Sequence, residues 1–294
     1  AFMCNTAVNS HVVLPGVSTM EMSRVYSEWG YDAAICITQK AIEPLFDSRP
    51  DFFVFIEIGK RLGLGQYLPW QSDEEAMANQ LAGTPWSLED LKAKGFLLTD
   101  PAEYHKYQKW GSLNCPEGYG SSGKTKTGKY NIKNPVAEEK GIDPLPDYKD
   151  PYLDWPDLEP DADYPLVAGN FRFAEHEHSS TQNNYFLMSQ VGKNPLWINY
   201  LDAKARGIKN GDRVVVKSPW GQITTEAFVT WHVRQGVTAM GGGFGHIRGL
   251  EADPKYPHMG GTMGVGALLP PNVSDKYAGT SPLKLIKVQI AKAA

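Results

Sequence analysis

The residue types best suited to chemistry gather in one short span. Arg172, His176, His178, Ser179, Ser180, Thr181 and Gln182 bring together a cation, two imidazoles, three hydroxyls and an amide. Such side chains supply many donors and acceptors in a small area, which suits a surface that grips a large polar ligand. His176 and His178 are two positions apart, so on a strand they share one face and offer a metal two nitrogens, with no third ligand evident. Downstream, Asn199 and Asp202 stand at the entry to a helix, where capping or ligand contact is open to both. A glycine run at 241–245 leads into His246. It is not followed by a helix, so it reads as a turn that lets a ligand approach rather than as a phosphate loop. Asn272 follows two prolines, the setting of an ordinary turn residue or of a ligand contact.

These residues need elements to hold them. A helix at 201–206 stops at Gly207, Asn210-Gly211 turns the chain, and strands at 213–217 and 222–230 form a hairpin around Pro219-Trp220-Gly221. A further strand at 237–240 enters the glycine run, and an alternating strand at 283–290 closes the region. Strands with few helices and many turns predict a small closed β-barrel over 165–294. The first third reads as the tail of an α/β unit. A β-branched run at 12–14 predicts a buried strand, and 33–38 a second one. Arg49-Pro50-Asp51 opens a helix whose apolar positions Phe52, Phe55, Ile56, Gly59, Leu62 and Leu64 face a core, stopped by Gly63 and Gly65. Shorter helices follow at 73–81 and 87–94, the latter with Ser87 as N-cap and Asp90 three residues on. Residues 100–164 are rich in Gly, Pro, Tyr, Lys and Asp and read as an extended connector.

The chain has 294 residues, 41% hydrophobic and 21% charged, with a net charge of −4. That is room for two ordinary domains and gives no basic footprint for nucleic acid. No apolar run approaches the length that crosses a bilayer. Cys4, Cys36 and Cys115 are spaced too widely for a Cys-x-x-Cys metal or iron–sulfur pattern. The N-terminus has no charged leader or cleavage site, and a strand so early suggests that the chain begins inside a domain.

Several of these pieces, in order, resemble the C-terminal part of molybdopterin oxidoreductases of the DMSO reductase family. Residues 5–15, Asn-Thr-Ala-Val-Asn-Ser-His-Val-Val-Leu-Pro, resemble that family's Thr-Ala-x-x-Ala-Asp-Val-Val-Leu-Pro stretch, with His11 replacing the acidic residue. Glu21 falls where the family often has glutamate, and Gly59-Lys60-Arg61-Leu62-Gly63 is similar to its Ala-Lys-Arg-Leu-Gly helix end. Ser122-Gly123-Lys124 resembles its Pro-Ser-Gly-Lys turn. His176-Glu177-His178-Ser179 resembles His-Trp-His-Thr, and Asn199-x-x-Asp202-Ala203 resembles Asn-Pro-x-Asp-Ala, with Tyr200 replacing proline. Asn272, Asp275, Gly279, Pro282 and Lys284 resemble the family's closing pattern.

The resemblance implies an α/β tail (1–99), the connector (100–164) and a double-psi-like β-barrel (165–294) that binds molybdopterin guanine dinucleotide as bis-MGD. It implies cofactor contacts from Asn5, Thr6, Arg172, His176, His178, Ser179, Ser180, Thr181, Gln182, Asn199, Asp202, Gly245, His246, Asn272 and Lys284, with Asn199 and Asp202 suited to the guanine edge. Molybdenum or tungsten would be held mainly by parts outside this chain, because nothing here matches the family's metal ligand or its cluster motif. The expected parent is a catalytic subunit that reduces a sulfur or arsenic oxyanion in respiration, periplasmic by analogy, with an iron–sulfur electron-transfer subunit as partner. The rivals are a stand-alone pterin-binding or assembly module and a non-redox β-barrel scaffold.

Overall fold

The computed structural model describes residues 2–27, 33–100, 131–145, 147, 163–249, 252–256, 263–271, 273–275 and 278–293. The described chain forms two compact units. One comprises 11–132, and the other 2–10 with 133–294.

In the first unit, β1 (Arg24–Ser27), β2 (Ala33–Thr38) and β3 (Phe96–Asp100) form an antiparallel sheet in that order. Helices α2 (Asp51–Arg61), α3 (Asp73–Gln80) and α4 (Leu88–Lys94) accompany it. Ile37, Met77, Leu81, Leu88, Leu91 and Leu97 make the core between sheet and helices. Local chemistry sets the helix starts. The Ser87 hydroxyl accepts the Asp90 amide while the Asp90 carboxylate accepts the Ser87 amide, and Ser72 caps α3 through the Glu75 amide. The Glu21 carboxylate, buried, accepts the amides of Ser18 and Leu45, both at 2.7 Å, and so ties two loops together.

Two expectations fail here, for the same reason. The run at 12–14 is no strand. It is exposed, and among the described residues the nearest bridge is that of Gly16 to Arg49. Valine favours a pleated, half-buried surface, and among the described residues no neighbour offers one. The helix expected at the Pro50 turn is present, but only Ile56 and Gly59 of its apolar positions are buried, while Phe55 and Leu62 are 71% and 70% exposed.

In the second unit, β4 (Leu166–Phe171), β5 (Leu196–Asn199), β6 (Arg213–Lys217), β7 (Gln222–Thr230), β8 (Val237–Gly241) and β9 (Ile286–Lys292) close a barrel in the order β4-β8-β5-β7-β6-β9. The pairs β4–β8 and β5–β7 run parallel and the other four antiparallel. This is the double-psi β-barrel that the sequence implies. Alternate residues point inward, so that Leu166, Leu196, Ile198, Val214, Val216, Ile223, Ile286 and Val288 fill a dry interior. Full closure leaves no strand edge unpaired. Helix α7 (Tyr200–Ala205) follows β5 directly and ends at Gly207, whose φ of +65° is the left-handed stop that glycine takes without cost. Three short helices complete the described unit: α1 (Asn5–Val8), α5 (Pro135–Glu139) and α6 (Tyr185–Gln190). Most of the 100–164 connector lies outside the described residues, as do Cys115 and Ser122-Gly123-Lys124. Among the described residues, no helix is long and apolar enough to cross a membrane.

Candidate functional site

Strand β4 ends at Phe171 and delivers Arg172 to the start of an irregular loop running to α6. His176 and His178 lie in this loop and not on a strand, so the shared face that a metal would need is not formed. Their environments are opposite. His176 is buried, with its ring against Phe244 at 5.1 Å and Phe173 at 6.4 Å. Its Nε2 lies 2.7 Å from the Val191 carbonyl, which only accepts, so Nε2 carries the proton. Its Nδ1 is hydrogen-bonded to the Thr181 hydroxyl at 3.0 Å, and the Thr181 oxygen accepts the Glu177 amide at 3.1 Å. Both ring nitrogens are spent on holding the loop.

His178 has φ of +45°, a left-handed conformation unusual for a residue with a Cβ, and its side chain is exposed. Arg172 Nη2 lies 3.3 Å and Glu177 Oε1 3.1 Å from its Nε2. Arginine only donates, so a neutral ring accepts from Arg172. A protonated ring would donate to Glu177 instead. The His178 carbonyl is held from inside by Gln182, fully buried, through a 2.8 Å bond from Nε2. Gln182 Oε1 is buried with no partner among the described residues.

The glycine run closes over this carbonyl. Gly243 has φ of +88°, and a Cβ there would sit 1.7 Å from the His178 oxygen and 2.9 Å from Gln182 Nε2. Gly245, at φ +101°, also passes the Gly264 nitrogen too closely for a side chain, 2.4 Å from where its Cβ would be. His246 Nε2 donates to the Gly243 carbonyl at 3.1 Å. Helix α1 then clasps the loop from outside. Asn5 Nδ2 donates to the Gly245 carbonyl at 2.8 Å, and Asn5 Oδ1 accepts the Ile247 amide at 3.0 Å. The fold thus joins Asn5 to Gly245 across 240 positions of sequence, and the glycine run in turn to the span 172–182. Thr6, on the same short helix, is exposed, as are Arg172, Ser179 and Ser180.

The remaining expected residues lie in other settings. Asn199 caps α7 through the Leu201 amide at 2.9 Å and donates to the Val233 carbonyl at 2.8 Å. Asp202 Oδ2 accepts the Gly236 amide at 2.7 Å, and Oδ1 lies 3.9 Å from Arg206. Both are buried and both fix the 231–236 turn. The Lys284 backbone passes β4 at Gly169, where a Cβ would lie 3.6 Å from its carbonyl oxygen. Asn272 lies outside the described residues. Asn194 has no recognisable signal in the sequence. Fully buried, it brackets Gly241 with bonds of 2.8 and 2.6 Å and anchors the start of the glycine run. Among the described residues no three His, Cys, Asp or Glu side chains converge.

An orphaned buried amide oxygen, glycines that leave no room for a Cβ and an exposed rim of arginine, imidazole and hydroxyls fit a large polar ligand carrying phosphates. The molydopterin dinucleotide binding domain family matches residues 166–287, the barrel and both loops. The molybdopterin-containing subunit of thiosulfate reductase from Salmonella typhimurium is 26% identical over 85% of this chain and 34% of its own. Dimethyl sulfoxide reductase from Escherichia coli is 26% identical over 90% and 34%. The structure of acetylene hydratase from Pelobacter acetylenicus superimposes on 99% of this chain and 39% of its own with a TM-score of 0.74 at 21% identity, a likeness of fold. The chain spans about a third of the length of the curated relatives it matches. Residues 166–287 belong to the molydopterin dinucleotide binding domain family, and the chain as a whole is similar to the C-terminal region of molybdopterin oxidoreductases of the DMSO reductase family.

Proposed function

We propose that the two clasped loops, 172–182 and 241–249, hold bis-MGD in the catalytic subunit of a respiratory reductase of a sulfur or arsenic oxyanion. The observation that carries this reading is the contact of Gly243 with the His178 carbonyl, which fixes a strained, exposed imidazole beside Arg172. Arg172, His178, Ser179 and Ser180 supply charge and hydrogen bonds to the dinucleotide, joined from the clasp by Asn5, Thr6 and His246. His176, Thr181, Gln182 and Gly245 position them. Asn199 and Asp202 hold the 231–236 turn. The bound metal centre supplies the transfer of oxygen atoms or electrons. This chain's part is binding and orientation, which need rigid, prearranged polar groups. A sulfur oxyanion is favoured by the match to a thiosulfate reductase subunit. An iron–sulfur electron-transfer subunit and a periplasmic site complete the proposal.

The test is metal and pterin analysis of the intact polypeptide as purified from its source, with turnover assays on thiosulfate, tetrathionate, arsenate, dimethyl sulfoxide and nitrate. Pterin dinucleotide with molybdenum or tungsten is expected, together with preference for a sulfur or arsenic oxyanion. Preference for dimethyl sulfoxide or nitrate would overturn the substrate class. Pterin without any turnover would favour an assembly module, and absence of pterin would overturn cofactor binding altogether.

A further inference from the structure

Strand β8 ends at Gly241, and a side chain holds that residue where a strand would. Strand β5 pairs with β8 antiparallel, Trp197 opposite Ala239 and Ile198 opposite Thr238. Continued by two residues, that register sets position 195 opposite Gly241. Position 195 is a proline, which has no N–H to give the Gly241 carbonyl. The carboxamide of the preceding residue fills the place. Asn194 Nδ2 donates to the Gly241 carbonyl at 2.8 Å, and Asn194 Oδ1 accepts the Gly241 amide at 2.6 Å. A carboxamide carries the same donor and acceptor as a peptide unit, so it completes the ladder pair that proline cannot. Asn194 is itself held by β7, since its backbone carbonyl accepts the Thr225 hydroxyl at 3.0 Å. Asn194 and Gly241 are both buried, so neither finds water in place of a lost partner.

Gly241 is also where both loops of the site meet the barrel. It pairs with Phe171 of β4, whose carbonyl accepts the Gly242 amide at 2.9 Å. The Phe173 ring lies against it so closely that a Cβ would fall 2.4 Å from Cε2. Phe173 belongs to the loop 172–182, and its ring meets Phe244 of the glycine run at 5.9 Å and His176 at 6.4 Å. Asn194 Nδ2 further lies 3.5 Å from the carbonyl of Met263, next to the Gly264 that Gly245 passes. We propose that Asn194 is a positioning residue of the cofactor site, its carboxamide setting where Gly241 leaves the barrel and so the spacing of the loops 172–182 and 241–249. This rests on the reading of those loops as the holders of bis-MGD. Asn194 acts through Gly241 and touches no ligand. Its removal leaves a buried N–H and C=O unpaired at the first residue of the glycine run, and Pro195 has no donor to offer in exchange. The loss therefore falls on the loops, while the aliphatic interior of the barrel keeps its packing.

The experiment uses the full-length catalytic subunit with Asn194→Ala, Asn194→Asp or, as control, Val216→Ala. Val216 is fully buried on β6, which pairs with β7 and β9 and not with β4 or β8, so its truncation weakens the barrel without touching the loops. Pterin is quantified after gel filtration, and amide hydrogen exchange is followed over 241–245, both well below the unfolding temperature. Asn194→Ala is expected to lose about fivefold in pterin per polypeptide and to exchange about tenfold faster over 241–245, while Val216→Ala matches wild type in both. Asn194→Asp supplies a conditional rescue. A protonated carboxyl has an O–H to donate to the Gly241 carbonyl and a carboxylate has none, and burial favours the protonated form. That variant should keep its pterin at about pH 5 and lose it at about pH 8, where wild type keeps it at both. Pterin retained by Asn194→Ala, an equal loss in Val216→Ala, or pterin independent of pH in Asn194→Asp would overturn the proposal. Should Asn194→Ala fail to fold, the pH dependence of Asn194→Asp decides. The cofactor reading fails separately. Wild-type subunit without pterin overturns that reading, and the exchange rates then decide the positioning, which stands if Asn194→Ala exchanges faster and falls if it does not.

Discussion

Substitution of Gly243 by alanine separates the geometry of the clasp from general stability. The backbone there sits at φ +88°, and the new Cβ would fall 1.7 Å from the His178 carbonyl oxygen. The left-handed conformation alone costs a residue with a Cβ roughly 1–2 kcal/mol. Overpacking against a backbone atom adds about 1–3 kcal/mol, because the His178 carbonyl is itself pinned by Gln182 and has little freedom to move. The sum is roughly 2–5 kcal/mol. Carried by the cofactor-holding arrangement of the loops, even the lower figure weakens retention about 30-fold. Gly207→Ala is the control. Its φ is +65° and nothing lies within 4 Å of the added Cβ, so it bears only the conformational cost. Both variants are made in the full-length subunit, and pterin is quantified after gel filtration beside the thermal unfolding midpoint. Gly243→Ala is expected to lose most of its pterin while Gly207→Ala keeps it, with a modest drop in midpoint. Equal pterin in the two variants would refute the argument that the His178 carbonyl contact shapes the cofactor site.

Three further outcomes follow from the same contacts. His178→Asn removes the imidazole but keeps a residue that tolerates the left-handed backbone, so pterin content or the active-site potential should shift at unchanged unfolding temperature; identical content and potential would remove His178 from the site. Asp202→Ala strips the Gly236 amide of its acceptor and should cost about 1–3 kcal/mol of stability with pterin occupancy retained; lost pterin at unchanged stability would return the carboxylate to the guanine edge. At Glu21, hydrogen bonds from Ser18, hydroxyl first and then amide, and from the Leu45 amide hold the carboxyl below the usual glutamate range. A depressed folded pKa gives stability that is present above the unfolded value of about 4.3 and lost as pH falls through the folded one, so the midpoint gap between wild type and Glu21→Gln should be constant near neutrality and shrink in acid; a gap as large at pH 3 as at pH 7 would contradict it.

What the sequence disclosed was local, and what it concealed depends on distant partners. The Ser87 capping box, the Gly207 stop and the hairpin of β6 and β7 are each written in a few consecutive residues, and each is found. Strands β4 and β5 are short, and their parallel partners β8 and β7 lie far along the chain, so no turn signal announces them. Gly169 and Asn170, residues of low strand propensity, further weaken the signal of β4. The opposite error occurs at 12–14, where valines with good strand propensity meet no partner among the described residues. Periodicity assigned Phe55 and Leu62 to a core and was right about their chemistry but not about their surroundings in this chain. One explanation serves both departures. Propensity reports what a segment can bury, whereas burial needs a second surface, and among the described residues of the first unit none covers these side chains.

The two histidines carry the same lesson into the site. Sequence treats His176 and His178 alike, as imidazoles two positions apart. The fold divides their work by burial. His176 meets a carbonyl on one nitrogen and a hydroxyl on the other, so both ring nitrogens are occupied and it has nothing to offer a ligand. His178, lifted into a left-handed conformation by the glutamine behind it, keeps its ring in the open beside a cation. The first makes the second possible, since the Thr181 hydroxyl that His176 holds also receives the Glu177 amide and so sets where the backbone enters His178. The two histidines therefore differ by burial and by their partners, Val191 and Thr181 for His176 and Arg172 and Glu177 for His178.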